Sequence, residues 1–576
     1  MRFSPLLGAL SLGSLASAFY LPGVAPTDYK KNDKVPLYVN RLTPSASETS
    51  PELHAMLSYN YYHPMLNFCQ PKDGPPHQVS ESLGSILFGD RILTSPFELL
   101  MGRNETCKKL CGTREYGPKE ANFVSSRVWQ NYYLNMLVDG LPASTKTSDG
   151  AGKEYHSLGF PLGYIGATAD SDHPSTFIFN HYKFYIDYHQ VSSRGRGRSS
   201  SGKDANDNAR YRVVGVTVMP ESRRSTEDKH NPSGANCADS TAMALNVHGH
   251  TDVLFTYSVF WRPSATAWAT RWDRYLAIDD PNIHWFSLVN SAIIVVFLTS
   301  MVGMVLLRAL RKDIRRYNQL DLNEDVQDDS GWKLVHGDVL RAPRNPMLLS
   351  VLLGSGAQLV FMAGATIAFA LLGFLSPSNR GSLGTAAILL YSLLGFVGGY
   401  VSARVYKALG GDAWKNNIIL TPVLVPAIVF GVFFFLNLFV FFHGSSGAVP
   451  FGTMLALVCI WFVISVPLSA AGSWCGFRAP VPEPPVRTNQ IPRQIPPSPT
   501  YLRPIPSMLL AGILPFGAIF VELYFIMNSI WFHKVYYMFG FLFVCYGIMV
   551  NPPLPLPAID GQGRLMMMPG RGGNRL

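Results

Sequence analysis

Apolar runs of about twenty residues recur along the second half of the chain, and no other feature limits its fold so strongly. The runs begin at Phe286 and alternate with short polar stretches, whereas the residues before Asp280 are polar and aromatic with scattered turns. An α-helix of about twenty apolar residues crosses the hydrocarbon core of a bilayer. The sequence therefore predicts a multi-span α-helical membrane protein whose first half folds in water.

Six of the runs are long enough to span a bilayer, and a partial seventh meets prolines at Pro552 after about fifteen residues. The predicted spans are 288–307, 347–375, 384–405, 419–442, 451–471 and 508–529, with the partial span at 536–550. Together they predict a helical transmembrane bundle over 284–550. The residues that follow, 551–576, form a tail rich in Pro, Gly and Arg.

The first eighteen residues have the pattern of a secretory signal peptide. Arg2 precedes an apolar stretch from Leu6 to Leu15, and Ala16-Ser17-Ala18 is a small-x-small cleavage site. We expect cleavage after Ala18, which directs the next domain into the lumen of the secretory pathway.

Residues 19–283 predict a lumenal antiparallel β-sandwich. Apolar and polar residues alternate over 177–186 and 211–219, and both segments are rich in β-branched and aromatic residues. Several such strands separated by Gly, Pro and Ser turns are typical of a sandwich. Residues 190–210 interrupt the strands with Ser, Gly and Arg and predict a flexible insertion.

The net charge of +10 fits a membrane topology better than a nucleic-acid partner, because no zinc-finger spacing or RNP-like strand accompanies it. Cytosolic loops of membrane proteins carry an excess of Lys and Arg. Basic residues follow the first span at once and recur between the fifth and sixth: Arg308, Arg311, Lys312, Arg315, Arg316, Arg478, Arg487, Arg493 and Arg503. This bias and the signal peptide independently predict a lumenal N-terminal domain.

The cysteines agree with an oxidising compartment. Cys69, Cys107, Cys111 and Cys237 all precede the first span, and their even number predicts two disulfides, with three connectivities open. Asn104 begins an Asn-Glu-Thr sequon and is a candidate glycosylation site.

Within the spans, Glu522 and a glycine pair are the candidate functional residues. A carboxylate inside a bilayer is costly unless it faces the bundle interior or a partner, and Gln358 and Tyr391 are candidate polar partners. Gly395 and Gly399 form a GxxxG pattern, which allows close approach of another helix. That helix belongs either to the same chain, the plainer interpretation, or to a second copy of the chain or a cargo protein.

No catalytic pattern of the HExxH, Walker or nucleophile-elbow type accompanies these residues. We therefore predict no catalytic, metal or cofactor site, and a non-enzymatic role. A secondary transporter or channel is the alternative, because Glu522 lies within a span and four prolines interrupt spans: Pro422, Pro426, Pro467 and Pro515.

Blocks along most of the chain resemble the nonaspanin family, also called the transmembrane 9 superfamily. They are GDRI at 89–92, GFPLG at 159–163, YRVVG at 211–215, RWD at 271–273, HWFS at 284–287, GWKLVHGDV at 331–339, PVRTNQIPRQIP at 485–496, LPFG at 514–517 and ELY at 522–524. The resemblance implies a lumenal β-sandwich on a nine-helix bundle in Golgi and endosomal membranes. It also implies a role in sorting other membrane proteins, with membrane lipid, integral-membrane cargo and, through the cytosolic loops, coat proteins as partners.

The resemblance stops near Val544. The family's last two helices and its cytosolic Lys-x-Asp tail have no counterpart in 551–576. We expect a truncated or misread gene model, because a helix that runs into a proline cluster ends a bundle poorly.

Overall fold

The computed structural model describes residues 26–44, 57–148, 154–168, 171–191, 209–227, 235–276, 342–343, 345–372, 374–375 and 381–481, with isolated positions between 289 and 311 and between 506 and 547. A sheet-rich N-terminal domain, 26–276, precedes a bundle of apolar helices, 345–481. The predicted class, a multi-span helical membrane protein with an N-terminal β domain, is confirmed. The predicted signal peptide, Glu522, the C-terminal tail and most of the predicted insertion lie outside the described residues.

Most strands of the N-terminal domain are short, and the two longest are β16 and β17. In the described residues they are β1 Lys34–Val35, β2 Leu37–Val39, β3 Thr43–Pro44, β4 Leu93–Thr94, β5 Leu99–Leu100, β6 Glu105–Lys109, β7 Arg114–Tyr116, β8 Tyr132–Leu134, β9 Met136–Val138, β10 Leu141–Pro142, β11 Ser144–Ser148, β12 Glu154–Leu158, β13 Phe160–Pro161, β14 Gly163–Thr168, β15 Ser171–Ile178, β16 His181–Val191, β17 Arg210–Glu221, β18 Thr226–Glu227, β19 Ala235–Asn236, β20 Thr251–Val253 and β21 Thr256–Pro263.

The largest sheet has six strands in the order β12-β11-β17-β16-β21-β6. β16 and β17 pair antiparallel, with a bulge after Asp187, whereas β16 and β21 pair parallel. The predicted antiparallel pairing is therefore wrong for β16 with β21, and the sheet is mixed. Parallel neighbours need a long crossover connection, and β17 with the segments around it lies between β16 and β21 in the sequence.

Apolar side chains of β16 and β17 form part of the core. Buried residues alternate over 182–186 in β16, as the sequence pattern predicts, whereas 213–218 of β17 are all buried. Phe184 lies opposite Val218 and Ile186 lies opposite Val216, and all four side chains are fully buried. Each large apolar side chain removed from water contributes about 1.5–3 kcal/mol. Phe97 packs edge-on against Phe184 and two buried tyrosines, and thereby closes the core over this sheet.

Buried beside the same sheet is His181, whose Nδ1 lies 2.7 Å from Thr256 Oγ1 and whose Nε2 lies 3.2 Å from Ser258 Oγ. Burial, reinforced by Arg223, lowers the pKa of His181 to about 4. The unfolded imidazole has a pKa of about 6.5 and binds a proton more readily than the folded one. The domain should therefore lose stability as the pH falls from about 6.5 towards about 4.

At pH ~5 we expect the domain of the full chain to be about 2 kcal/mol less stable than at pH ~7. Hydrogen exchange of β16 amides as a function of pH measures this loss. A His181→Gln variant should flatten the profile, whereas His77→Gln, at an exposed position, should leave it unchanged. The same pH dependence in His181→Gln would show that another group is responsible.

Three α-helices lie among the described residues of the N-terminal domain: α1 Leu83–Leu87, α2 Pro118–Trp129 and α3 Asp273–Leu276. Ser82 caps α1 by accepting a hydrogen bond from the Ser85 N–H at 3.2 Å. α2 begins with a proline, and its Ala121, Val124 and Val128 are buried at the spacing of one helix face.

Four helical spans follow in the described residues, each 26 to 29 residues long and apolar enough to cross a membrane. The first is α4 Pro346–Leu371, and the second consists of α5 Ser382–Leu393 and α6 Gly395–Ala408. The third is α7 Trp414–Phe442, and the fourth consists of α8 Phe451–Ile460, a π-helical turn at Trp461–Ser465 and α9 Val466–Arg478. These four helices overlap the predicted spans at 347–375, 384–405, 419–442 and 451–471.

Candidate functional site at the domain–membrane junction and in the bundle

The N-terminal domain contacts the membrane helices first through α1, which lies against the start of α5. The Gly84 N–H donates to Thr385 Oγ1 at 2.9 Å. A Cβ on Gly84 would lie 2.1 Å from the Gly381 carbonyl oxygen, so only glycine allows this approach. Gly381 itself has a φ of +71°, in the left-handed region that favours glycine.

The second contact is made by residues 443–450, which connect α7 to α8. The Ser58 N–H donates to Ser445 Oγ at 3.0 Å, and the Ser446 N–H donates to the Ser58 carbonyl at 2.9 Å. Arg91 Nη2 donates to the Ala448 carbonyl at 2.5 Å. We call the contacts of 381–385 and 445–448 with the N-terminal domain the junction.

The block at 89–92 forms the domain side of the junction. Asp90 accepts hydrogen bonds from Asn40 Nδ2 at 2.8 Å and from Ser85 Oγ at 2.9 Å. Asn40 Oδ1 accepts in turn from the Arg91 N–H at 2.8 Å. Gly89 has a φ of +83°, and a Cβ there would lie 2.3 Å from Arg41 Nη1. The block thus holds Arg91 in place to reach the bundle.

Arg91→Met is expected to loosen the junction, because the Ala448 carbonyl loses a charged donor worth about 1.5–3 kcal/mol. We expect hydrogen exchange of the 445–448 amides in the full chain to rise at least about tenfold. Arg103→Met, which removes an exposed ion pair, is the matched control and should not change these amides. Unchanged exchange in Arg91→Met would mean that the serine contacts alone hold the junction.

Small residues let α6 lie very close to two other helices. A Cβ on Gly395 would lie 3.0 Å from the Ser465 carbonyl oxygen, and a Cβ on Gly399 would lie 2.1 Å from the Ser469 carbonyl oxygen. In return, a Cβ on Gly472 of α9 would lie 2.0 Å from the Phe396 carbonyl oxygen. Gly398, on another side of α6, faces Gln358 of α4. The structure thus uses the GxxxG glycines for packing within the chain.

A buried polar cluster joins α4, α6 and α7. Asn417 is fully buried, and its Nδ2 donates to Ser350 Oγ and Ser402 Oγ, both at 3.1 Å. Ser402 Oγ lies 2.9 Å from Thr421 Oγ1. Hydrogen bonds between spans satisfy groups that would otherwise be costly in hydrocarbon. Since these groups bond to one another, the cluster fixes the helices relative to each other.

The two prolines of α7 are accommodated in one continuous helix. Pro426 has no N–H, so the Pro422 carbonyl lacks its helical donor, and the Trp461 indole N–H supplies one at 3.0 Å. Trp461 begins the π-helical turn, which precedes Pro467. A broken transport helix would expose such groups to a water-filled path, whereas a neighbouring side chain satisfies this carbonyl.

The structure places the other predicted residues as follows. Cys69 pairs with Cys111, and Cys107 pairs with Cys237, which selects one of the three connectivities. Asn104 is exposed, and its Oδ1 accepts from the Trp261 N–H at 2.8 Å. Gln358 donates to the Tyr391 carbonyl at 2.7 Å. Within the described residues, no three His, Cys, Asp or Glu side chains are placed to hold a metal ion.

Nothing in the sequence indicates the junction residues Ser58 and Ser445, which lie 387 positions apart. The block at 89–92 marks one segment of the junction, but the sequence does not show that this segment contacts the membrane helices. The sequence also does not indicate the buried position of Asn417, because one polar residue just before an apolar run does not alter the predicted span.

Together, the β domain, the four apolar helices and the junction define a multi-pass membrane protein whose water-exposed domain is fixed to its membrane helices. The endomembrane protein 70 family model matches residues 58–551, and the chain belongs to this family. It is 44% identical over 570 residues to transmembrane 9 superfamily member 1 of Saccharomyces cerevisiae, covering 92% of this chain and 82% of that protein.

Relatives in animals and plants are similar at nearly the same level. Transmembrane 9 superfamily member 2 of Homo sapiens is 42% identical, covering 95% of this chain and 82% of that protein. Transmembrane 9 superfamily member 10 of Arabidopsis thaliana is 42% identical, covering 94% of this chain and 82% of that protein. No solved structure matches the chain. The resemblance to the transmembrane 9 superfamily is thereby confirmed, and none of these names describes an enzyme.

Proposed function

We propose that this protein sorts or localises other integral-membrane proteins in Golgi and endosomal membranes, with its N-terminal domain in the lumen. Its relationship to an endomembrane family supports the compartment. Two disulfides in the N-terminal domain suit an oxidising lumen.

Charge supports the orientation. Among the described residues, Arg404, Lys407, Lys415 and Arg478 lie at the helix ends opposite the N-terminal domain. The described residues on the domain side, 371–372, 374–375, 381–385 and 442–450, carry no Lys, Arg, Asp or Glu, and the sequence between 375 and 381 adds one basic residue, Arg380. Cytosolic faces carry the basic excess, so the domain lies on the lumenal side.

The observation that carries the sorting role is the surface of α7. Its buried residues are Asn417, Thr421 and Pro422, all in its first third, whereas most of its later phenylalanines are exposed, among them Phe435 and Phe439. Helices associate in a bilayer by packing such faces together, and the other described residues leave this one uncovered.

The same helix is linked to the junction. Asn437 Oδ1 accepts from the Val449 N–H at 2.8 Å, and the adjacent Ala448 carbonyl binds Arg91. A cargo span packed on α7 would therefore lie next to the connection that holds the N-terminal domain. We infer that α7 binds the cargo span, that the N-terminal domain contacts its lumenal part, and that the cytosolic loops bind coat proteins.

Photo-crosslinking combined with deletion tests this function. A photoreactive residue at Phe435 should capture membrane proteins that are mislocalised when the gene is deleted. A photoreactive residue at Phe361, exposed on α4, is the matched control and should not capture that set. If deletion left surface and vacuolar membrane proteins correctly placed, or if the two sites captured the same proteins, the proposal would be wrong.

A further inference from the structure

Two tryptophan–cation pairs lie on the membrane face opposite the N-terminal domain. The Arg478 guanidinium lies 4.7 Å from the centre of the Trp474 ring at the end of α9. The Lys415 ammonium lies 5.5 Å from the centre of the Trp414 ring at the start of α7. Trp474 is 57% exposed and Trp414 is 50% exposed. We call these four residues the tryptophan–cation face.

Two other cations on the same side of the bundle bind carbonyl groups of the chain itself, which accounts for their position. Lys407 Nζ donates to the Phe477 and Ala479 carbonyls, each at 2.7 Å, and Arg404 donates to the Pro480 carbonyl. These carbonyls lie at the C-terminal end of α9, which lacks helical donors and attracts positive charge. Lys407 and Arg404 therefore cap α9.

Arg478 makes no such carbonyl contact with the described residues. Within the described residues, its contact is the face of Trp474, which leaves its guanidinium N–H groups available as donors. Lys415 is likewise held by a ring face. A guanidinium presents paired donors that match two oxygens of a phosphate. Tryptophan prefers the depth of the lipid headgroups, so both cations lie at the level of the phosphates.

The charge of this face is not balanced. Among the described residues at these helix ends, one acidic residue, Asp412, lies in the connection between α6 and α7. Four cations lie at the same ends: Arg404, Lys407, Lys415 and Arg478. The domain side shows a different pattern, with exposed Phe441, Phe442 and Phe451 and no described cation at the helix ends. Aromatic residues that only anchor the helices at the membrane surface would lie at both membrane faces, and they would not explain the excess positive charge at one of them.

We propose that the tryptophan–cation face binds the headgroups of anionic phospholipids in the adjacent leaflet, with Arg478 and Lys415 contacting the phosphate oxygens. The two pairs lie on different helices and present the same arrangement, so the affinity does not depend on a single side chain. The expected ligand is a phospholipid with net negative charge, because a zwitterionic headgroup leaves the excess positive charge uncompensated.

Lipid retention by the full-length chain tests this proposal. The protein is incorporated into vesicles of equal parts phosphatidylserine and phosphatidylcholine, extracted in mild detergent, and its retained lipid is quantified by mass spectrometry. The unmodified chain should retain phosphatidylserine in preference. Arg478→Gln or Lys415→Gln should each lower that preference by about fivefold, the effect of one basic residue near an anionic surface. The double variant should lower it further.

Arg262→Gln is the matched control, because Arg262 also lies over an aromatic ring, 3.9 Å from the centre of Tyr185, but in the N-terminal domain. It should retain phosphatidylserine as the unmodified chain does. Arg478→Lys keeps the charge and should keep most of the preference, which separates lipid binding from misfolding. Equal retention by the unmodified chain and the double variant, or an equal loss in Arg262→Gln, would overturn the proposal.

Discussion

Replacing Gly399 with leucine is expected to disrupt the membrane bundle at the contact between α6 and α9. A Cβ at this position would lie 2.1 Å from the Ser469 carbonyl oxygen and 2.9 Å from Ser473 Oγ. The first of these atoms belongs to the backbone of α9, so the clash is relieved only if the two helices separate. Overpacking typically costs about 1–3 kcal/mol, and a backbone clash places this variant at or above that range. Unfolding of the full chain by SDS in mixed micelles measures the loss.

Gly431→Leu is the matched control, since Gly431 also lies inside a membrane helix. A Cβ there meets no atom within 4 Å, and leucine forms helices better than glycine. This variant should therefore be as stable as the unmodified chain or slightly more stable. If both variants lost stability equally, the packing of α6 against α9 would not be the cause.

The length of the apolar runs locates the membrane helices well but not their ends. The run at 451–471 is followed by Gly472, Ser473 and Gly476, which reduce its apolar character, yet α9 continues to Arg478. These residues are small because α6 packs against them, and hydropathy cannot distinguish packing from a loop. Likewise α7 begins at Trp414, before the apolar run at 419–442, and the extra turn contains the buried Asn417.

The sequence also does not show which distant segments of the chain are in contact. The sequence shows that four cysteines precede the spans, but the pairing depends on which strands the fold brings together. Cys107 in β6 and Cys237 after β19 are separated by 130 positions. The GxxxG pattern indicates a close helix contact without naming the partner, which is α9. The junction combines serine, glycine and arginine, residue types that are common at any protein surface.

Asp139→Ala is expected to destabilise the N-terminal domain by about 3–5 kcal/mol, the cost of leaving a buried charge without its partner. Asp139 Oδ2 accepts from Arg271 Nη1 at 3.0 Å, and the two side chains are 9% and 5% exposed. Asp139 Oδ1 also accepts from the Tyr29 hydroxyl at 2.7 Å, so the variant removes an acceptor that two donors share. Arg271 Nη1 keeps its hydrogen bond to the Val213 carbonyl, at 3.2 Å, but loses its charged partner. Hydrogen exchange of β9 and β17 amides in the full chain measures the loss.

A second substitution distinguishes a lost charge partner from a general defect. Adding Arg271→Met to Asp139→Ala removes the unpaired charge and should recover part of the stability, whereas Asp73→Ala, at an exposed turn, should have no effect. A loss below about 1 kcal/mol in Asp139→Ala would contradict the prediction, since that is the value of an exposed pair. Arg274 forms another ion pair, with Asp187 of β16 at 2.6 Å. Arg271 and Arg274 therefore tie the chain around α3 to the domain before it continues to the membrane helices.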